Sequence, residues 1–243
     1  MVPAARRRLD RACSRSSRSE EGAAASGGLL GAGGYRCLRG WCTPGYARAR
    51  TAELVAAHRA MRTEIVRNPH LSAEWARAVV RAPHLLAAVQ DLVGRDVAVD
   101  NTFLVLKWPY RIFAVPWHQD EDGLDDRVIL HPARSVAAWL ALTDTGPLNG
   151  CLHVIPGSQC GGYLPYGPEP GRHAQRGRGL GARVAEGTWG VPMPMAAGSG
   201  LLMDVRLLHR SLFRSLARAR LTGCSCPAKG RYPLPSAGRS ASS

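Results

Sequence analysis
The periodicity of the chain changes at Gly94, and that change limits what the chain can fold into. Before it, apolar residues recur three and four apart. Leu54, Val55, His58, Met61, Ile65 and Val66 share one face between Thr51 and Arg67, with Thr51 as the N-cap and Pro69 as the stop. A second short helix is expected over Ser72–Arg81, with Trp75, Val79 and Val80 inward, and a third over Pro83–Val93, ended by Gly94. After Gly94 the apolar residues come in short, β-branched runs. Residues 97–107 (VAVDNTFLVLK), 113–120, 135–142 (SVAAWLAL), 151–155 and 200–208 (GLLMDVRLL) predict strands. Asn149-Gly150 predicts a hairpin-type connection between the third and fourth of these. Short strands following helices predict a mainly β fold with N-terminal helices, a cupin-like jelly roll on a helical support.

Segments outside this pattern set the expected domain organisation. Residues 1–34 are rich in Arg, Ser, Ala and Gly without apolar period, and residues 35–50 are ambiguous, so 1–50 is expected to be a disordered basic segment. Residues 51–222 form the expected domain, with helical support over 51–94 and jelly roll over 95–222, followed by an irregular basic tail at 223–243. Residues 157–195 are Gly/Pro-rich and carry Arg172, Arg176, Arg178 and Arg183; so long a loop predicts a lid.

The net charge of +14 is confined to the ends. Residues 1–50 hold ten arginines against three acids, residues 201–243 eight basic residues against one acid, and the middle is balanced. No zinc-finger spacing or aromatic RNA-binding motif accompanies this charge, so no specific nucleic-acid partner is expected. The longest apolar runs are too short for a membrane span, and the Arg-rich start lacks an apolar core for a secretory signal. Seven cysteines, an odd number without a CxxC pair, fit reduced thiols and a cytoplasmic location.

One pair of residues carries chemistry. In Val115-Pro116-Trp117-His118-Gln119-Asp120, a strand would turn His118 and Asp120 to one face. Two histidines and a carboxylate on one face of an octahedron are the usual site for non-haem Fe(II) with open positions. His209, at the end of the apolar run 200–208, is the candidate third ligand. Arg220, eleven residues on, could clamp a carboxylate bidentately. Rivals for these roles are His131, His153 and His173 for the metal, and Arg206, Arg210, Arg214 and Arg218 for the anion. Arg210, adjacent to His209, would face away on a strand. His58, His70 and His84, in the helical part, are expected to pack rather than bind metal. The acidic stretch 120–126 lacks EF-hand spacing and reads as a solvated loop.

Three blocks, WHQD (117–120), SVAAWLALTDTGPLNGCLHVIPGSQ (135–159) and GSGLLMDVRLLHRS (198–211), resemble the phytanoyl-CoA dioxygenase family of Fe(II)/2-oxoglutarate oxygenases, over about residues 95–222. The resemblance implies a double-stranded β-helix, another name for the jelly-roll core. It implies His118, Asp120 and His209 as iron ligands, and Arg220 and Ser211 on the distal carboxylate of 2-oxoglutarate. Trp139 would wall the co-substrate pocket, Asn101 would contact co-substrate or substrate, and Lys107 is a looser candidate for similar work. Iron, 2-oxoglutarate and O2 would together hydroxylate an aliphatic C–H of a small metabolite, giving succinate and CO2. Asp120 argues against the halogenating relatives, which have a small residue there. The sequence departs from the family at both ends, where an apolar opening strand and an apolar closing strand are expected and neither is evident. A non-catalytic metal-binding jelly roll is therefore the alternative reading, and a basic nucleic-acid-associated protein a third. The oligomeric state is not encoded in any of these features.

Overall fold
In a computed structural model, residues 30–111, 113–120, 135–168, 180–212 and 220–230 are described, with the backbone alone for Leu180 and for 220–230. They are mainly β, with antiparallel sheets and a few N-terminal helices. A strand β1 (Tyr35–Leu38) leads into helix α1 (Pro44–His58), then β2 (Ile65–Arg67) and the helices α2 (Pro69–Ser72), α3 (Glu74–Val80) and α4 (Pro83–Val93). The strands β3 (Val97–Val99), β4 (Phe103–Lys107), β5 (Val115–His118), β6 (Ser135–Leu140) and β7 (Leu152–Val154) follow. A short hairpin of β8 (Tyr166–Pro168) and β9 (Leu180–Ala182) precedes β10 (Val191–Met193), β11 (Gly200–Asp204), β12 (His209–Ser211) and β13 (Arg220–Gly230).

Two sheets carry the fold. The larger runs β1-β11-β6-β13-β4-β2, with β3 also on β13, and the smaller runs β10-β7-β12-β5. From β4 to β7, and again from β10 to β13, successive strands of the chain alternate between the sheets. The hairpin expected at Asn149-Gly150 therefore does not form: β6 pairs with β11 and β13, while β7 pairs with β10 and β12. The connection crosses from one sheet to the other, so the two strands face each other instead of sharing a ladder.

The larger sheet is buried on both faces, which explains the unbroken apolar run at 135–142. Val136, Ala138 and Leu140 pack with Leu104, Leu106 and Leu202 against Ala47 and Leu54 of α1, Val79 of α3 and Leu85 and Val89 of α4. The alternate residues Ala137 and Trp139 pack between the sheets with Leu152, Val154, Met193, Leu201 and Met203. Period-two alternation thus divides β6 between two cores, and all six of its residues are buried.

Several sequence expectations shift. The first helix begins at Pro44, not Thr51, because Thr43 supplies the cap: its hydroxyl accepts from the Tyr46 N–H at 3.2 Å, and Pro44 suits the first helical position. Thr51 lies inside the helix, its hydroxyl 2.9 Å from the carbonyls of both Ala47 and Leu142. That helix stops at His58, and the β-branched Ile65-Val66 joins the sheet beside β4. The single strand expected over 97–107 is broken at 100–102, where Asn68 and Thr102 exchange hydrogen bonds. The ordered fold also reaches beyond its expected limits. Residues 35–38, placed in a disordered segment, form β1 against β11. Residues 223–230, placed in an irregular tail, lie in β13 between β6 and β4. The Gly/Pro-rich 157–195 region contains β8, β9 and β10 rather than one loop. Residues 1–29, 121–134, 169–179, 213–219 and 231–243 lie outside the described residues.

Gly198 joins two of these elements. Its N–H donates to the Ala141 carbonyl at 2.8 Å, and its own carbonyl accepts from Cys42 at 3.1 Å. Its φ is +83°, and a Cβ there would run into the Cys42 carbonyl oxygen. Gly31 has a similar φ of +72° but open space around it. Gly198→Ala should destabilise the protein by about 3–5 kcal/mol, combining left-handed strain with overpacking. Gly31→Ala should cost only about 1–2 kcal/mol. Equilibrium denaturation of the two variants measures the difference.

Candidate active site
The edge strand β5 and its neighbour β12 bring the chemistry together. His209 lies directly opposite His118 in an antiparallel register, and β12 is held on its other side by β7. The β5–β12 register then slips by one residue, so that Ser211 faces Val115. Pro116 sits in this irregular stretch, where an edge strand tolerates a residue without an N–H. Such a slip re-aims the side chains beside it. Asp120 lies just past the end of β5, its N–H donating to the Val205 carbonyl at 2.9 Å.

These anchors gather three donor atoms within 4.8 Å of one another. The Asp120 Oδ1 is 3.4 Å from His209 Nε2 and 3.9 Å from His118 Nε2. The two rings lie 4.0 Å apart between centroids, tilted by 51°. Each ring is oriented by its own backbone: His118 Nδ1 lies 2.8 Å from the Pro116 carbonyl and His209 Nδ1 lies 2.9 Å from the Leu207 carbonyl. A carbonyl can only accept, so both rings carry their proton on Nδ1. Both Nε2 atoms are turned toward Asp120, the ring orientation a metal ligand needs. His209 is buried, and His118 and Asp120 are half-buried.

The residue between His118 and Asp120 was not singled out in the sequence. Gln119 is fully buried, and its amide ties the ligand segment to two others. Nε2 donates to the carbonyls of Gly162 at 2.8 Å and Arg206 at 2.7 Å, and Oε1 accepts from the Leu164 N–H at 2.8 Å. The Tyr166 hydroxyl accepts from the Gln119 N–H at 2.6 Å and lies 3.3 Å from its carbonyl. Burial pushes the Tyr166 phenol up to about 12, so it stays protonated at neutral pH. The only sequence signal for this network was a polar residue pinned between two ligands on the opposite face.

The remaining expected residues divide. Ser211 is buried on β12, two residues beyond His209. Trp139 is buried between the sheets. Arg220 opens β13 at the register position opposite Lys107 on β4; its side chain lies outside the described residues. Asn101 makes its hydrogen bond to a neighbour in sequence. It sits before β4, hydrogen-bonded to Asp100 at 3.3 Å, at the end of that strand remote from Lys107. Among the rivals, Arg206 is held bidentately by the buried Asp204 at 2.9 and 2.8 Å. Arg210 stacks on Trp117, 4.4 Å from the ring centroid, and donates to the Trp189 carbonyl at 3.1 Å. Trp117 and Arg210 alternate with the ligands along their strands, and they line a separate cavity of about 620 Å³ under the β8–β9 hairpin. His153 occupies the register position beside Arg210 on β7. His70 and His84 hydrogen-bond Thr102 and the Gly40 carbonyl, as packing residues do. His131 and His173 lie outside the described residues. Cys42, Cys151 and Cys160 are free thiols, and no helix among the described residues is long and apolar enough to cross a membrane.

Lys107 is buried, and its ammonium donates to the carbonyls of Ser211 and Leu212, each at 3.1 Å. Burial pulls its pKa down to about 7, partly opposed by the neighbouring Cys151. The unfolded chain, with an ordinary lysine near 10.5, binds the extra proton between these values. The contribution of Lys107 to stability therefore rises from about pH 7 to about pH 10.5 and is flat outside that window. Lys107→Met should remove this rise. Melting temperatures of the two proteins, compared across pH 6–10, should diverge least at the alkaline end, with Lys107→Met the more stable near pH 6.

The phytanoyl-CoA dioxygenase (PhyH) family profile matches residues 19–219 of the chain. An L-proline trans-4-hydroxylase from Streptomyces griseoviridis is 30% identical over 134 residues, covering 53% of this chain and 48% of that protein. An ectoine dioxygenase from Nocardia farcinica (strain IFM 10152) is 30% identical over 152 residues, covering 55% and 48%. The chain thus spans about half the length of the curated relatives it matches. Among solved structures, the apo form of the non-heme monooxygenase ThoJ superposes with a TM-score of 0.64 at 25% identity, covering 82% of this chain and 75% of that one. With a family match that takes in β5, β12 and the helices packed on the larger sheet, the chain belongs to the phytanoyl-CoA dioxygenase family.

Proposed function
We propose that the protein is an Fe(II)- and 2-oxoglutarate-dependent dioxygenase that hydroxylates an aliphatic C–H of a small metabolite. In this reading the facing sheets are a double-stranded β-helix, and His118, Asp120 and His209 hold the iron. One observation carries it: a carboxylate oxygen and two imidazole nitrogens, each ring oriented by a backbone carbonyl at its Nδ1, lie within 4.8 Å of one another. An octahedral ion with bonds of about 2.1 Å needs donors about 3 Å apart at right angles. Separations of 3.4 and 3.9 Å are close to that, and a small contraction would complete the set. The donors are borderline to hard, and they take one face and leave the rest open, as suits Fe(II). Bound there, the iron would supply oxygen activation coupled to oxidative decarboxylation of 2-oxoglutarate, with succinate, CO2 and an alcohol as products.

The protein's own part is binding and orientation. Ser211, two residues beyond His209, offers a hydroxyl to the co-substrate. Lys107 reaches the same stretch of backbone, and Arg220 starts the adjoining strand at the paired position. A buried amine with a lowered pKa regains its charge when an anion settles beside it, so Lys107 suits a carboxylate. Trp139 walls the space between the sheets. The relatives act, by name, on proline and ectoine, which supports a small polar metabolite as the substrate class.

Anaerobic titration with Fe(II) and 2-oxoglutarate tests this reading. A weak visible charge-transfer band should appear only with both added; its absence from the folded protein would favour a non-catalytic jelly-roll protein. His118→Ala, Asp120→Ala and His209→Ala should each abolish iron-dependent succinate formation. Arg220→Ala should raise the KM for 2-oxoglutarate by roughly 30- to 1000-fold, the worth of a charge-assisted bidentate contact, with iron binding nearly intact. Arg218→Ala should leave KM near its original value. The reverse outcome would reassign the clamp.

A further inference from the structure
We propose that Gln119 and Tyr166 are positioning residues that set the spacing of the metal ligands without touching the metal. This inference rests on the reading of His118, Asp120 and His209 as a metal site. Gln119 sits between two ligands, so its side chain must leave on the opposite face. There it is fully buried, where an amide is costly unless its hydrogen bonds are made. Its amide bonds to two separate parts of the chain, to Gly162 and Leu164 in one and to Arg206 in the other.

The partners explain what is being fixed. The Arg206 carbonyl, three residues before His209, accepts from Gln119, and the Val205 carbonyl accepts from Asp120. Arg206 is immobilised by the buried Asp204. Gln119 thus binds the segment carrying His118 and Asp120 to the turn that delivers His209. Gly162 and Leu164 anchor the other side of the same amide. The Tyr166 hydroxyl contacts both backbone polar groups of Gln119, fixing the peptide units on either side of it. Rotation of those units would change the distance between the His118 ring and the Asp120 carboxylate. Tyr166 opens β8, so the base of the β8–β9 hairpin reaches the metal ligands through two hydrogen bonds.

The test uses the full chain, anaerobic Co(II) as the probe, and variants Gln119→Glu, Gln119→Leu and Tyr166→Phe. Gln119→Glu keeps size but replaces the amide donor that faces two carbonyls. Tyr166→Phe removes one hydroxyl and preserves packing. The Co(II) dissociation constant should rise about 10- to 100-fold for the Gln119 variants, and by a smaller factor for Tyr166→Phe, as for other residues that orient metal ligands. The visible ligand-field bands of the bound Co(II) should shift in all three, a change that lost stability alone would not produce. Should the Gln119 variants fail to fold, Tyr166→Phe decides the matter by the same two measurements. Unchanged affinity and bands in variants that fold would overturn the inference while leaving the metal site intact. An unmodified protein that bound no Co(II) and no Fe(II) would overturn both.

Discussion
The register between β5 and β12 is the constraint on which the site depends. His118 and His209 are cross-strand partners, and a slip of one residue would turn one of them to the outer face, among Trp117 and Arg210. Several features oppose such a slip. β12 is paired on both sides, with Arg210 opposite His153 on β7. The Asp120 N–H is fixed on the Val205 carbonyl, and Gln119 on that of Arg206. The strands themselves are only three and four residues long, so their ladder alone would hold the register weakly. The side-chain bonds past their ends supply what the ladder lacks.

That small sheet is in turn placed by the larger one. β6 and β11 contribute Ala137, Trp139, Leu201 and Met203 to the core between the sheets, and the opposite faces of the same strands hold the helices. A sheet packed on both faces has little freedom to twist away from its neighbour. Position passes from α1, α3 and α4 through the larger sheet to β7, and from β7 to β12 and His209.

Much of this was legible in the sequence, for physical reasons. The third helix was bounded by Pro83 and Gly94, the two residues with the strongest backbone preferences, and it runs over Pro83–Val93 as expected. The apolar run 135–142 read as a strand because a buried strand needs no polar alternation, whereas the run 200–208, read as one strand ending at His209, is strand only to Asp204; the chain then turns, and His209 opens β12 in the other sheet. The His118/Asp120 pair was legible because period two puts i and i+2 on one face. What was not legible involved pairing between distant segments. β1 and the 223–230 part of β13 have mixed composition, and their strand character comes from partners far away, β11 for one and β4 and β6 for the other. The 143–150 turn carried a hairpin signal, but a local turn does not say which sheet the next strand joins.

The costly placements in this chain gather near the ligands, and they are compensated differently. Pro116 gives up a ladder hydrogen bond, but on an edge strand at a register slip the loss is small. Gln119 buries an amide, and its bonds to Gly162, Leu164 and Arg206 all end on the protein's own backbone. Lys107 is different. It buries an amine against two neutral carbonyls rather than a carboxylate, and burial holds its pKa near 7 as a result. A side chain placed for stability alone would be apolar here, since a methionine fills similar volume without desolvating a charge. Local rules broken without internal compensation mark where a fold has been shaped by something it binds. Gln119 is thus satisfied by its own backbone partners, whereas the desolvation of Lys107 is what supports the proposal that an anion binds beside it.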